Sequence, residues 1–346
     1  MAYTDIDKPE DYFNTKLYTG NGTTQSITGV NFQPDWVWIK RRDASSNHIL
    51  TDAVRGNTKW LESNNPNAEQ TGTDRITSFD SDGFGLGSNA NVNANTGTFT
   101  SWNWLASNTT ASNTDGSITS TVSASTVSGF SIVSYTGTGA NATVGHGLSS
   151  APKMIILKER NPTTTRSWRV YHEDVGNNKV LYLDTTNAQV SDSTAFNSTT
   201  PTSSVFSLGS NVGTNENTKN FIAYCFAEKK GFSKFGSYTG NGSTNGTFVY
   251  TGFKPAFVII KDVSGARSWI MLDNKRNTFN VANNRLFPDS TDAQNTTVDA
   301  LDFLSNGFKI RSTNTSVNVS GNTYIYMCFA ENPFVTSNRA IPATAR

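Results

Sequence analysis

Apolar residues along the chain fall in short runs and in period-two alternation, not at helical spacing. The densest runs are Trp36-Val37-Trp38-Ile39, Met154-Ile155-Ile156-Leu157 and Phe257-Val258-Ile259-Ile260. Each follows a proline two positions earlier (Pro34, Pro152, Pro255) and is closed by a lysine (Lys40, Lys158, Lys261). Runs of four apolar residues bounded in this way predict buried strands. Side chains alternate between the two faces of a strand. Val37/Ile39, Ile155/Leu157 and Val258/Ile260 therefore form one face, and Trp36/Trp38, Met154/Ile156 and Phe257/Ile259 the other. A strand wetted on one side needs only one apolar face. The second face predicts a packing surface, at Trp36, Trp38, Met154, Ile156, Phe257 and Ile259, against another unit of the chain or another subunit.

The same landmarks recur in order around each run. Before it stands an alternating segment ending in Tyr-Thr-Gly-x-Gly, at Tyr18–Gly22, Tyr135–Gly139 and Tyr238–Gly242. After it come a short apolar segment, a Leu landmark (Leu61, Leu183, Leu286) followed by Ala-Glu or Ala-Gln, and a Phe-x-aliphatic strand at Phe84, Phe206 and Phe308. A closing strand ends in Ala at Ala106, Ala227 and Ala330. The expected fold class is all-β: three tandem, homologous β-sandwich-like (jelly-roll-like) units of about 100 residues, a size too long for a solenoid repeat and right for a small sandwich. The expected division is an arm over 1–11, units over 12–106, 129–228 and 235–331, a Ser/Thr/Asn-rich linker or edge strand over 107–128, and a tail over 332–346. The Tyr-Thr-Gly-x-Gly segments predict tight hairpins.

Composition sharpens the class. Charged residues make up 16% and hydrophobic residues 35%, the difference being filled by Ser, Thr, Asn and Gly. These disfavour helices and favour turns. A net charge of +1, with no basic run beyond Lys40-Arg41-Arg42, predicts no nucleic-acid surface. No apolar run is long enough to insert in a membrane. The first residues carry no signal-peptide pattern, which predicts synthesis in a cytoplasm.

Candidate chemistry is sparse. Cys225 and Cys328, at one repeat position, predict buried free thiols. His48 stands where the other copies have Trp168 and Trp269, and predicts half-buried packing. His172 beside Glu173 lacks a nucleophile. Asp80-Ser81-Asp82-Gly83 lacks the later ligands of a calcium loop and predicts a turn. The three lysines are expected to carry their strands out to solvent. Glu62, Asp184 and Asp273 are the carboxylates on which a glycosidase reading would rest. No catalytic, cofactor or metal residue is assigned, and the chain is read as non-enzymatic.

The segments Asp7–Gly22 and Phe32–Lys40, and the ending Cys328–Val335, resemble a family of bacteriophage virion proteins common in tailed, especially marine, phages and carrying a domain of unknown function. The resemblance covers essentially the whole chain. It implies a virion structural protein, of tail-fibre or receptor-binding type, held in a homo-oligomer (a trimer by analogy with phage fibres) and in contact with other virion proteins and a host surface glycan or protein. The alternatives are a capsid decoration, head fibre or tail adaptor or nozzle subunit, and an enzyme degrading surface polysaccharide.

Overall fold

The computed structural model describes residues 3–338; residues 1–2 of the expected arm and 339–346 of the expected tail lie outside them. Regular structure is almost entirely antiparallel strand. The helices among the described residues are a 3-10 turn at Pro9–Asp11 and three four-residue helices, Ala90–Asn93, Val212–Asn215 and Thr315–Asn318. Each of these three is started by an asparagine (Asn89, Asn211, Asn314) whose side chain accepts the N–H two residues on, the usual N-cap bond.

Three large sheets share one strand order. The first runs Phe13–Thr19, Thr98–Trp104, Trp36–Arg41, Ile49–Asp52. The second contains Phe130–Thr136, Asn220–Phe226, Met154–Glu159, Arg169–His172. The third runs Ser233–Thr239, Thr323–Pro333, Phe253–Asp262, Ile270–Asp273. The segment expected to be a linker or edge strand is an edge: Ala111–Asn113 and Ser120–Ser125 extend the second sheet beyond Phe130–Thr136. The last closing strand continues into the expected tail, pairing Asn332 and Pro333 with Lys254 and Phe253.

Opposite each large sheet lies a small one. These are Gln25–Thr28 with Gly83–Leu86 and Ile76–Asp80, Ala142–Gly145 with Val205–Leu208, and Phe248–Tyr250 with Gly307–Ile310 and Leu301–Leu304. The faces Val37/Ile39, Ile155/Leu157 and Val258/Ile260 each pack on their own small sheet, in three separate cores. The opposite faces of all three large sheets meet in one further core.

The expected hairpins are not hairpins. The strand before each Tyr-Thr-Gly-x-Gly pairs with the closing strand, and the strand after it belongs to the small sheet. The turn is a corner between layers. Its first glycine is demanded by close approach: a Cβ on Gly20, Gly137 or Gly240 would lie 2.2, 2.3 and 2.3 Å from the carbonyl oxygens of Ala94, Glu216 and Val319. The buried side chains of Asn93, Asn215 and Asn318 hold the corner, accepting the N–H groups of Asn21, Thr138 and Asn241 at 2.9, 2.8 and 2.8 Å.

Candidate functional site: the joints between the sheets

The six residues singled out by strand alternation all lie in the shared core, each no more than 1% exposed. Trp36 of the first sheet stacks on Tyr224 of the second, centroids 4.2 Å apart and 17° from parallel. Phe257 of the third packs against Trp102 of the first at 5.7 Å. Phe226 meets Phe329 edge-on at 6.1 Å, joining the second and third. Offset and edge-to-face geometries are those the ring quadrupole favours. The apolar faces that predicted a packing surface, against another unit of the chain or another subunit, are thus covered inside one chain.

Around this core the three lysines do the opposite of what was expected. Lys40, Lys158 and Lys261 are 0% exposed. Lys40 Nζ donates to the carbonyls of Ser46 (2.9 Å) and Thr291 (3.0 Å). Lys158 Nζ donates to Pro66 (2.9 Å) and Arg166. Lys261 Nζ donates to Thr186 (2.9 Å) and Arg267. Each ammonium holds one carbonyl of its own loop and one of a neighbour's loop. The order is cyclic: first sheet to third, second to first, third to second. A stem that could have reached water instead turns inward, because the neighbouring loop supplies fixed acceptors.

The main chain follows the same circuit. The Ala-Glu and Ala-Gln landmarks are where Glu69 N donates to Arg160 O (2.8 Å), Gln189 N to Val263 O (3.1 Å) and Gln294 N to Arg42 O (2.8 Å). The indole of Trp168 donates to Glu62 O at 2.9 Å and that of Trp269 to Tyr182 O at 2.8 Å. His48, expected to be half-buried, is fully buried and accepts from Trp38 Nε1 at 2.9 Å through Nδ1.

The joints differ in charge. Between the first and second sheets, Arg160 grips Glu69 with two bonds of 2.8 and 3.0 Å, and Arg55 reaches the same carboxylate at 3.2 Å. Between the first and third, Arg42 Nε donates to the neutral Gln294 side chain at 3.0 Å. Between the second and third, Val263 stands at the arginine position.

A second circuit runs through the last residues of the outer strands. Asp52, His172 and Asp273 occupy one register position, opposite Trp36, Met154 and Phe257. Asp52 accepts from Tyr224 Oη at 2.8 Å and Asp273 accepts from Trp102 Nε1 at 3.0 Å. Arg55 and Arg276 pair with these carboxylates inside the core, with no exposed side-chain surface on either partner. In the second sheet the position is His172. Its Nδ1 accepts from Asp174 N, so Nε2 carries the proton and donates to Tyr326 O at 3.3 Å.

Burial pushes the three lysines down to about 8 and His172 down to about 4, and drives His48 well below the ordinary histidine range. Burial also works against Arg55, but Asp52, Tyr224 and Glu69 outweigh it and hold the guanidinium charged. Asp35 is pushed up to about 6 by burial, although the N–H groups of Asn108 and Ala106 oppose the shift. A lysine near 8 has the basicity a general base needs. All three, however, are sealed from any substrate, with their donors already directed at carbonyls.

The remaining candidates are not brought together. Glu173 pairs with Lys153, away from His172. Asp184 accepts from Trp168 N and Glu62 from Asn65. Asp82 accepts from the N–H groups of Gly29 and Asn31, fastening a turn as expected. Cys225 and Cys328 are free and buried. The residues that sequence reasoning missed are Asp52, Arg55, Glu69, Arg160 and Arg276, while Asp273, named only as a possible glycosidase carboxylate, serves a joint instead. The signal that pointed to the joints was a lysine and an Ala-Glu or Ala-Gln pair at the same place three times.

No curated protein and no solved structure matches the chain. A family match spans residues 8–333, from the end of the arm to the end of the last strand, and so takes in all three large sheets and every joint between them. The chain belongs to the family described as a domain of unknown function, DUF7483.

Proposed function

We propose that the chain is a non-enzymatic structural protein of a virus particle, of tail-fibre or receptor-binding type. In this reading it is three homologous β-sandwich units closed into a ring, a covalent counterpart of a homotrimer. The observation that carries the structural part is the cyclic set of buried lysines. Interior cations are costly, and here all three are spent on binding the loop of the next unit. The large sheets are joined on one side by a shared aromatic core and at the seams by these bonds, so the assembly resists relative movement of its parts. Head-to-tail contacts of this kind close a ring when the rotation between neighbours is right. The virion part rests on the resemblance carried by Asp7–Gly22, Phe32–Lys40 and Cys328–Val335. Described parts of both terminal segments lie at one end: Ser337 N donates to Asp7 at 2.6 Å, and Tyr3 Oη to Gly252 O at 2.5 Å. That end is proposed as the attachment side, with the corner turns at Gly20, Gly137 and Gly240 presented at the other. The test is labelling of purified particles with antibody against the protein, alongside binding of the purified protein to host cells. Absence from particles ends the virion reading. Presence on the capsid, without binding to cells, moves it to a decoration protein.

A further inference from the structure

The three small sheets differ at their outer edge. In the second, the edge strand Ala142–Gly145 is covered by the chain's own segment 116–120. Ile118 N donates to Thr143 O at 3.0 Å in a parallel bridge with Val144, Ser117 and Thr143 exchange side-chain to main-chain bonds of 2.9 Å, and Ser120 Oγ donates to Gly145 O at 2.8 Å. The segment is uncharged and rich in hydroxyls, with one β-branched apolar residue.

Among the described residues, the equivalent edge strands of the other sheets have no such cover. Pairing registers align Thr143 with Ser26 and Phe248, and Gly145 with Thr28 and Tyr250. In the first sheet these positions are short and polar. In the third they are aromatic and 45% and 55% exposed, with the Tyr250 side chain hydrogen-bonded to Tyr3 at its tip. Phe248–Tyr250 is bonded to Gly307–Ile310 on one side only. Just past it the edge is occupied again, where Gly252 O accepts from Tyr3 Oη and from Phe334 N. An open edge bearing large apolar side chains is a template for strand pairing, and proteins normally blunt it.

We propose that Phe248–Tyr250 is a strand-addition site for an extended segment of a partner protein. The segment is uncharged and hydroxyl-rich with one β-branched apolar side chain, and runs parallel to the edge as 116–120 runs along Ala142–Gly145. Main-chain bonds supply pairing, the apolar side chain lies beside Val249 on the inner face as Ile118 lies beside Val144, and the two aromatic rings on the outer face cover the segment's short polar residues, a division of labour between backbone and side chains usual in β-augmentation. The proposal rests on the equivalence of the three units but not on the virion reading, which particle labelling tests separately.

The probe is a synthetic peptide of residues 116–121, capped at both ends and titrated to about 5 mM against the full chain, a range that reaches millimolar affinity, with backbone amide resonances followed by NMR. Saturable shifts at Phe248 and Tyr250 are expected. Phe248→Pro, which removes an outward N–H and leaves Val249 free to pair inward, should weaken binding at least about tenfold. The double variant Phe248→Ser/Tyr250→Thr, carrying the first sheet's residues, should weaken it several-fold while melting like the wild type, and decides the matter if the proline variant does not fold. No shifts at the highest concentration, or shifts confined to Thr143 and Gly145, would overturn the proposal. So would self-association of the wild type that either variant abolishes, since the edge would then belong to a second copy.

Discussion

Replacing Lys158 with Met tests the joints directly, through the pH dependence of stability. In the folded protein Lys158 sits at about 8 because burial disfavours its charge, against about 10.4 for an exposed lysine. The folded pKa lies below the unfolded one. Between the two values the unfolded chain therefore holds more protons, and stability rises with pH across that window. The penalty is fully present below about pH 8 and gone above the unfolded value. Integrated from about pH 7 to pH 9.5, the site contributes about 2 kcal/mol of added stability. The bonds survive deprotonation, because a neutral amine keeps two N–H groups for its two acceptors, Pro66 O and Arg166 O. Lys158→Met removes the titration but leaves both carbonyls unpaired, at about 1–3 kcal/mol each. At pH 7 this loss is offset by about 3 kcal/mol of relieved charge burial. The net change at pH 7 is therefore small, and the variant falls behind the wild type as pH rises. Guanidinium unfolding of both proteins at the two pH values measures this. The wild type should gain about 2 kcal/mol more than the variant. Equal slopes would mean that Lys158 is not held at a depressed pKa, and the buried-joint reasoning would fail.

The ionic joint should be the most sensitive to loss of charge: Glu69→Gln leaves Arg55 and Arg160 without their shared carboxylate and should cost about 2–4 kcal/mol in chemical unfolding, a loss below about 0.5 kcal/mol refuting the network. On the acid side, burial holds His172 and His48 below the ordinary histidine range, so the stability they contribute is complete above about pH 6.5 and is lost as pH falls, for His172 down to about 4 and by up to about 3 kcal/mol; His172→Gln should flatten that limb of the stability curve, and an unchanged limb would exclude it. Gly137→Ala puts a Cβ 2.3 Å from Glu216 O and should lower stability by about 1–3 kcal/mol, whereas Gly56→Ala, with nothing near its Cβ but φ at 92°, should cost about 1–2 kcal/mol by backbone strain alone; thermal melts of the pair distinguish crowding from conformation.

Much of this architecture is legible because its repeat is written in residues that alternate. Val37/Ile39 and Trp36/Trp38 announce a strand with two dry faces, and a three-times-repeated Pro…Lys frame locates it without reference to structure. Alternation says that a face is covered, but not by what. An intramolecular neighbour and a second copy bury Trp36 equally well, and only the register placing Trp36 against Tyr224 decides between them. The turns depart from the hairpin expectation for a related reason. A Gly-x-Gly after a strand fits a hairpin and a corner alike, and what separates them is the buried Asn93, Asn215 or Asn318 some seventy-five residues further along, a pairing no local pattern contains. The lysines are the sharper case. A lysine ending an apolar strand ordinarily snorkels, since water is its best acceptor. Lys40, Lys158 and Lys261 stay inside because each meets two main-chain carbonyls, one of them on a different sheet. A carbonyl has no side-chain signature, so the acceptors left no trace in the sequence. The donors did: one cation closing each of three like strands is what a joint made three times requires, and a solvent-facing lysine would not need to keep its position.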